Sequence, residues 1–518
     1  MRATLAVLIV LLGGVSALGA APKNEFVVLN GGEPSSFDPA FVQSAPDQRI
    51  ALALFEGLVV YDPKTSEARP GLAESWVSDK PGTTYTFRLR KTSWSDGVPI
   101  TAQTVVDSWL RELDPKTAAP DAGIPASWIA GAGDYHDGKT GAEGVQVKAA
   151  DSSTLKVTFT APLPTLSLLA GTAFAVVPLH VIASSGADWT KPGRLVGNGP
   201  YKLESLVTPS KVILVPNPKY WDQKSVRLAR LTFLSAADGA ASFTMFKNAE
   251  ADWLPTVGPG QIDEAQTRKD FQSAPFWGTY YYSLNVASEG LKDLRVRRAL
   301  ALALDRPWLV KKVIRAGQLP AYSLIPKTGT ASPATFAPDD DPKAARKLLA
   351  DAGYPGGKGF PKLTLLYNTS ESHRRLAEAI QDQWSQNLGI DIELKSEDWK
   401  SFLADRQRHN FDLARAGWLG DYNDPMTFLE LWTSDSPENS AGYANPKFDD
   451  LVAKAKTLVP GVERTKVLKA ADLLLAADLP FLPVYTYTTA QLIDTSKWDG
   501  WYPNPLDIHP WKNLGPRK

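Results

Sequence analysis

The sequence predicts an α/β protein of two or three domains. Its 518 residues exceed the size at which one hydrophobic core keeps growing. From Tyr280 onward, apolar strand runs alternate with helical stripes. One stretch of that region is a complete strand–helix–strand unit. Residues 363–367 read as a strand, 371–387 as a helix with Leu376, Ile380, Trp384 and Leu388 on one stripe, and 390–394 as a second strand. A unit of this kind makes a parallel pair with a right-handed crossover.

In chain order, residues 1–21 carry one early positive charge at Arg2, an apolar run over 5–12 and then small residues. This is the pattern of a cleavable secretory signal peptide, with the cut around 19–21. The run is too short for a typical transmembrane helix, and no later segment reaches about 18 uninterrupted apolar residues. The mature chain is therefore expected to be exported and soluble. Residues 26–30 read as a strand, and 31–39 are rich in turn formers. Helical spacing through Ile50, Leu54 and Leu58 predicts a helix over 48–58. Residues 85–90 and 155–159 alternate as half-exposed strands. Between them, 95–99 is a turn and Thr101 caps a helix through Val105, Trp109 and Leu110. The Pro-rich stretch to Pro178 reads as a linker, and 197–203 with 212–215 as a turn-and-strand run.

Beyond Tyr280 the punctuation is clearer. Asp293 and Asp305 read as helix N-caps, the second with Pro307 in its first turn. Asp341-Pro342 opens a helix that Gly353 ends. A helix over 398–406 then feeds an apolar, Gly-ended strand over 411–418. There is no internal repeat and no low-complexity tract.

That last strand and the turn after it form the most informative window. Arg415 lies among alanines, where an unpaired guanidinium is costly, so a carboxylate is expected beside it. Asp421 and Asp424 fall in a Gly/Asn/Asp/Pro turn at the strand end, where binding groups are commonly mounted and where ligands of open α/β sheets collect. A cation, an aromatic and an anion at the mouth of a strand suit a zwitterion. Read alone, the window describes a structural Arg–Asp pair plus a capped turn before it describes a binding site.

Composition narrows the function classes. Lys+Arg and Asp+Glu both number 56, leaving no net field to draw in nucleic acid or an anionic membrane. Cysteine is absent, which excludes disulfides, thiolate metal sites, Cys nucleophiles and a lipid on an N-terminal Cys. The five histidines are scattered without the i, i+4 spacing of a helical metal site. There is no Gly-x-Ser-x-Gly elbow and no His-Glu-x-x-His. The glycines of 353–359 are not a phosphate loop, since residue 352 is Ala and no Ser or Thr follows Lys358. A glycosidase-like carboxylate pair has nothing specific behind it. Binding without chemistry, cofactor or metal is the expectation.

Several motifs, in order over nearly the whole chain, carry a resemblance. They include Leu54-Phe-Glu-Gly57, Trp94-Ser-Asp-Gly97, Asn198-Gly-Pro-Tyr201, Pro218-Lys-Tyr-Trp221, Tyr280-Tyr-Tyr282 and Val296-Arg-Arg-Ala-Leu300. Denser ones are Leu366-Tyr-Asn-Thr-Ser-Glu-Ser-His373, Asn387-Leu-Gly-Ile390, Asp398-Trp-Lys-Ser-Phe402, residues 414–425 and residues 436–443. From about Val27 to the C-terminus the chain resembles the periplasmic oligopeptide-binding proteins, the large solute-binding class (family 5) that feeds peptide ABC importers.

The resemblance implies a periplasmic binding protein type II-like fold, with two lobes, a hinge and three domains. Residues 22–57, 181–278 and 489–518 would form a discontinuous first domain, 58–180 a second and 279–488 a third. It further implies a periplasmic monomer that takes up short extended peptides and docks on the permease subunits of an inner-membrane ABC transporter. Position by position, Asp421 resembles the carboxylate that holds the peptide α-ammonium. Arg406, Arg415 and His373 resemble groups that meet the peptide carboxylate, each suited to a different length. Trp399, Trp418 and Tyr281 resemble pocket walls, with Gly417 and Leu419 beside them. Glu33 and Ser36 stand in the segment that pairs with peptide backbone. Trp399 and Trp418 would also suit a plain core, and Arg406 and His373 a solvated helix.

Departures from the family pattern are specific. Some members carry a Cys pair where this chain has Gly278 and Leu419. Asp121 stands where an aromatic is common, and Arg408 and His409 have no assigned role. Within the same family the ligand could instead be a dipeptide, a murein peptide, or a metal or haem chelate. Outside it, a secreted hydrolase or a holder of unfolded segments are the rivals.

Overall fold

The computed structural model describes residues 24–80, 82–207, 210–327 and 333–517. The expected signal peptide, 1–21, lies outside them.

Three main sheets organise the chain. The first has seven strands in the order Tyr201–Val207, Lys211–Pro216, Arg230–Leu234, Glu25–Leu29, Trp253–Leu254, Gln491–Ile493 and Phe271–Gln272. Glu25–Leu29, legible in the sequence, sits at its centre, parallel to both neighbours and with Phe26 and Val28 wholly buried. The second is a four-stranded antiparallel sheet of Ala73–Ser78, Thr84–Leu89, Thr154–Thr158 and Val147–Ala149. It is packed under the helix Ala102–Leu113, which Thr101 caps as expected. The third has six strands, in the order Leu319–Pro320, Phe481–Thr488, Pro275–Leu284, Leu413–Leu419, Leu363–Asn368 and Ile392–Glu397.

The chain passes between the first and third sheets twice, at neighbouring points. Phe271–Gln272 belongs to the first sheet and Pro275–Leu284 to the third. On the return, Phe481–Thr488 belongs to the third and Gln491–Ile493 to the first. The crossings lie side by side, with Pro275 paired to Thr488 and Thr489 N–H donating to Ala274 C=O at 2.9 Å. Two short, adjacent connections are the geometry a hinge requires.

Local chemistry explains most element ends. Asp293, Asp305, Asp341 and Asp398 each accept backbone N–H groups of the helix that follows. Gly353 and Gly389 take the left-handed conformation just past helix ends, at φ +102° and +71°. The strand–helix–strand unit forms as expected. Leu363–Asn368 and Ile392–Glu397 pair in parallel, and Leu376, Ile380, Trp384 and Leu388 are buried on the intervening helix.

Two expectations need correction. The helix expected over 48–58 runs Ala45–Leu54, because Ser44 caps it with Pro46 in the first turn, and the chain is extended again at Phe55. The Pro-rich stretch to Pro178 is not a linker. Its prolines prevent long regular elements, yet Leu169, Phe174 and Val176 are wholly or nearly buried, and Trp109 Nε1–H donates to Phe174 C=O at 3.0 Å. Apolar residues between prolines still bury themselves; here they do so on 3₁₀ turns.

Candidate ligand-binding site

The strand Leu413–Leu419 is central at one end and open at the other. Along one edge it pairs with Pro275–Leu284 over its whole length, from Leu413↔Leu284 to Leu419↔Gly278. Along the opposite edge, Leu363–Asn368 pairs only with Leu413 and Ala414. From Arg415 onward that edge has no strand partner among the described residues. An open edge of N–H and C=O groups is a surface on which another extended chain can add a strand. A second such backbone lies at Gly32 and Glu33, whose main-chain groups have no hydrogen bond among the described residues. Glu33 is exposed. Ser36 Oγ accepts Asp38 N–H at 3.0 Å, and Ser35 is fastened to Asp47, so the loop is held from behind.

The two aspartates of the turn have opposite fates. Asp424 is buried and accepts both ends of the Arg464 guanidinium, at 2.5 and 2.9 Å. It also caps Met426 N–H, so it belongs to the fold. Asp421 is exposed and has no cation partner among the described residues. Thr427 Oγ1 donates to it at 3.5 Å. Desolvation by the walls around it, with the charge of Glu430 added, pushes its carboxyl up to about 6.

Arg415 departs from expectation. No carboxylate lies within ion-pairing distance of it among the described residues. Its guanidinium sits over the Tyr280 ring, 5.1 Å from the centroid, and its Nε–H is buried without an acceptor. Tyr280 stacks on Tyr485 at 4.7 Å and meets Tyr487 at 6.3 Å, forming a tyrosine cage. The tyrosine hydroxyls and cation–π attraction offset part of the cost of a buried guanidinium, but leave its Nε–H unsatisfied. His373 joins the same group through a 3.3 Å contact between Tyr280 Oη and Nδ1. Burial and the Arg415 charge push its imidazole down to about 4, so it is neutral near pH 7.

Arg406 stands apart from this cage, on the helix Trp399–Gln407. It donates through Nη2 to Ser440 Oγ at 3.1 Å and leaves Nε without an acceptor. No carboxylate pairs with it among the described residues. Its neighbours are accounted for: Arg408 pairs with Asp405 at 2.8 Å, and His409 Nδ1 contacts Ser440 C=O at 2.9 Å.

Strand register separates the other candidates. Arg415 lies opposite Tyr282, whereas Ala416 lies opposite Tyr281 and Trp418 opposite Thr279. Tyr281 and Trp418 therefore share a face that Arg415 does not. Tyr281 is buried against Trp432 and Phe481. Trp418 is half-buried, with Nε1–H donating to Thr427 Oγ1. Trp399 is 55% exposed and stacks on Phe402, so it walls no enclosed pocket in this conformation. At Gly417 a Cβ would come within 2.6 Å of Tyr487 Oη, so glycine there lets the cage close on the strand. Gly278 and Leu419 are register partners, and a Cβ at 278 would meet Leu419 Cδ2 at 2.4 Å. The leucine thus covers the space its partner leaves.

Sequence reasoning missed Tyr280, Tyr485 and Tyr487 as neighbours of Arg415. The available signal was the i, i+2 spacing of tyrosines in 280–282 and 485–487, which puts them on one strand face. Among the described residues no three His, Asp or Glu side chains converge to hold a metal ion.

Comparison with known proteins extends this reading. The profile of the bacterial extracellular solute-binding proteins, family 5 Middle, matches residues 67–440. The chain is 36% identical over 530 residues to the periplasmic oligopeptide-binding protein OppA of Escherichia coli (strain K12), covering 98% of this chain and 97% of that one. Among solved structures it superposes on the MppA periplasmic murein tripeptide binding protein in its unliganded open form with a TM-score of 0.87. Identity there is 36%, over 96% of this chain and 98% of the other. For Haemophilus influenzae OppA in complex with RPPGFSPFR the TM-score is 0.73 at 32% identity, over 96% and 99%. The fold is that of the type II-like periplasmic binding proteins, with two lobes joined at a hinge. On a profile match over most of its length and a full-length relative at 36% identity, the chain belongs to family 5 of the bacterial extracellular solute-binding proteins.

Proposed function

We propose that this protein captures short peptides in extended form between its two lobes and delivers them to the permease of an ABC importer. One observation carries the reading. A single strand-and-turn unit presents a cation, Arg415, and an anion, Asp421, neither with a counter-ion among the described residues, beside a strand edge with no partner among them. A free-ended peptide supplies all three missing parts: an ammonium, a carboxylate and a row of backbone groups. In this reading Asp421 anchors the amine, while Arg415, Arg406 and His373 receive the carboxylate. Backbone pairing falls to Gly417, Leu419, Glu33 and Ser36, and side-chain packing to Trp399, Trp418 and Tyr281.

The reading places the protein in the periplasm as a monomer without enzymatic activity, after removal of residues 1–21. The proposed domains are 22–57 with 181–278 and 489–518, then 58–180, then 279–488. That OppA relatives are named as peptide binders supports the ligand class, as does Asp421 for a free amine. Murein peptides, named for MppA, meet the same requirements. Ligand binding would stabilise the closed arrangement that the permease recognises.

Calorimetry with one tripeptide in three forms tests this: free, N-acetylated and C-amidated. Each blocked form is expected to lose about 2–5 kcal/mol, the cost of leaving one member of an enclosed charge pair without its partner. Equal affinities for all three forms would overturn the proposal. Recovery of the free peptide intact by mass spectrometry separates binding from hydrolysis.

A further inference from the structure

Asp421 is not the only carboxylate in its neighbourhood that lacks a cation among the described residues. Asp121, in the turn before the helix Gly123–Trp128, stands near enough to Asp421 for their charges to repel. The same helix sets Trp128 edge-on to Tyr422, 6.2 Å between ring centroids, directly beside Asp421. Ala119 and Ala122, flanking Asp121, are buried against Ala40. The segments 38–41, 119–128 and 421–422 therefore converge.

The charge of Asp121 also reaches Glu112, on the buried face of the helix Ala102–Leu113. It is only 6% exposed, its Oε1 is fully enclosed, and neither oxygen has a hydrogen-bond or ion-pair partner among the described residues. Burial, and then the charges of Asp38 and Asp121, push its carboxyl up to about 8. The nearest cation is committed elsewhere: Arg111 donates to both oxygens of Asp38, at 3.1 and 2.6 Å, and Trp189 Nε1–H adds a third bond to that carboxylate. Glu430, whose charge also reaches Asp421, is offset by Lys456 at 3.5 Å. A buried carboxyl group without a partner is costly, and a positive charge brought to Asp121 would offset that cost electrostatically. A metal ion does not fit, since no three such groups converge among the described residues. An extended organic cation does. A lysine or arginine side chain carries its charge on a long stem, away from an anchored α-ammonium.

We propose that Asp121, backed by Glu112, reads the first side chain of the bound peptide and selects lysine or arginine there. This rests on the assignment of Asp421 as the amine anchor. It also makes an acidic first residue unfavourable, through like charge at close range.

The test is calorimetry on the full mature chain with free-ended tripeptides X-Ala-Ala, where X is Lys, Arg, Ala or Glu, together with N-acetyl-Ala-Ala-Ala. Wild type is compared with Asp121→Asn and Glu112→Gln, each with a melting curve. Lysine- and arginine-first peptides are expected to bind roughly tenfold or more tightly than the alanine-first peptide, with the glutamate-first peptide weakest. In Asp121→Asn, a change in a part-exposed turn, the lysine-to-alanine affinity ratio should fall toward one. Should Glu112→Gln not fold, the Asp121→Asn ratio still decides. Equal wild-type affinities for lysine-, alanine- and glutamate-first peptides would overturn the inference, as would a lysine preference that survives Asp121→Asn. If the acetylated peptide binds as well as its free parent, the anchor assignment fails and this inference with it. If acetylation weakens binding while the first side chain is immaterial, only the selection by Asp121 fails.

Discussion

Arg415 points its guanidinium at the face of Tyr280, 5.1 Å from the ring centroid, and at no carboxylate among the described residues. An interior Arg paired with Asp would be expected to destabilise the lobe when removed. Here the opposite is expected, because only tyrosines and no carboxylate among the described residues offset the desolvation cost of the guanidinium. Arg415→Gln should leave the melting temperature of the unliganded protein unchanged or raise it. The same change should weaken free-ended tripeptides by about 2–5 kcal/mol. Thermal melts and calorimetry on one preparation measure both. A fall in both quantities would mean that Arg415 supports the fold.

Asp424 and Asp421 give the converse contrast within one turn. Asp424 is clasped by the buried Arg464, so Asp424→Asn strands a guanidinium and should cost about 3–5 kcal/mol of stability. Asp421→Asn removes an uncompensated, exposed carboxylate. Its effect should appear as a loss of peptide affinity, with no loss of stability in a denaturant melt. Comparable stability losses from the two changes would contradict the division of labour between them.

The carboxyl of Asp421, pushed up to about 6, gives a pH signature. An acid whose folded-state pKa is raised contributes stability that is complete below its unfolded value of about 4. That contribution disappears as pH rises through 6 in the empty protein. Binding an ammonium requires the ionised form, so peptide affinity should fall as pH drops through 6. At pH 5.5 binding should release a proton, and at pH 7.5 it should not. Calorimetry of a free-ended tripeptide in buffers of different ionisation enthalpy counts the protons, and an acetylated peptide serves as control. Proton release independent of the free amine would assign it elsewhere.

What the sequence made legible follows from range. Caps at Thr101, Asp293, Asp305, Asp341 and Asp398 depend on neighbours two or three residues away, and each formed. The helix stripe of Leu376 to Leu388 is equally local. What surrounds Arg415 is not. Tyr280 arrives on a strand 135 positions earlier in the chain, and Tyr485 and Tyr487 on one 70 positions later. Chemistry alone therefore suggested a carboxylate. Asp424 likewise finds Arg464 on a distant helix, so the two aspartates of the turn looked alike in the sequence. The strand window was legible as a place; which of its charges were spoken for was not.

The same geometry decides how the carboxylate-receiving groups should couple. His373 touches Tyr280, and Tyr280 underlies Arg415, so those two belong to one cluster. Arg406 is held separately by Ser440 and Phe402. An extended peptide advances about 3.3 Å per residue, so one added residue carries the carboxylate out of hydrogen-bonding range of its former partner. Arg406→Ala should therefore weaken one peptide length selectively, and His373→Ala a longer one. Their effects should add to each other. Arg415→Gln and His373→Ala, which share Tyr280, should be non-additive by about 0.5–3 kcal/mol in a double-mutant cycle. The measurement is a matrix of the single and double variants against free-ended peptides of two to five residues. Uniform losses across all lengths would mean that these side chains support the lobe and the C-terminus is met elsewhere. Additivity between Arg415 and His373, with coupling between His373 and Arg406 instead, would place the carboxylate on the Ser440 side of the sheet.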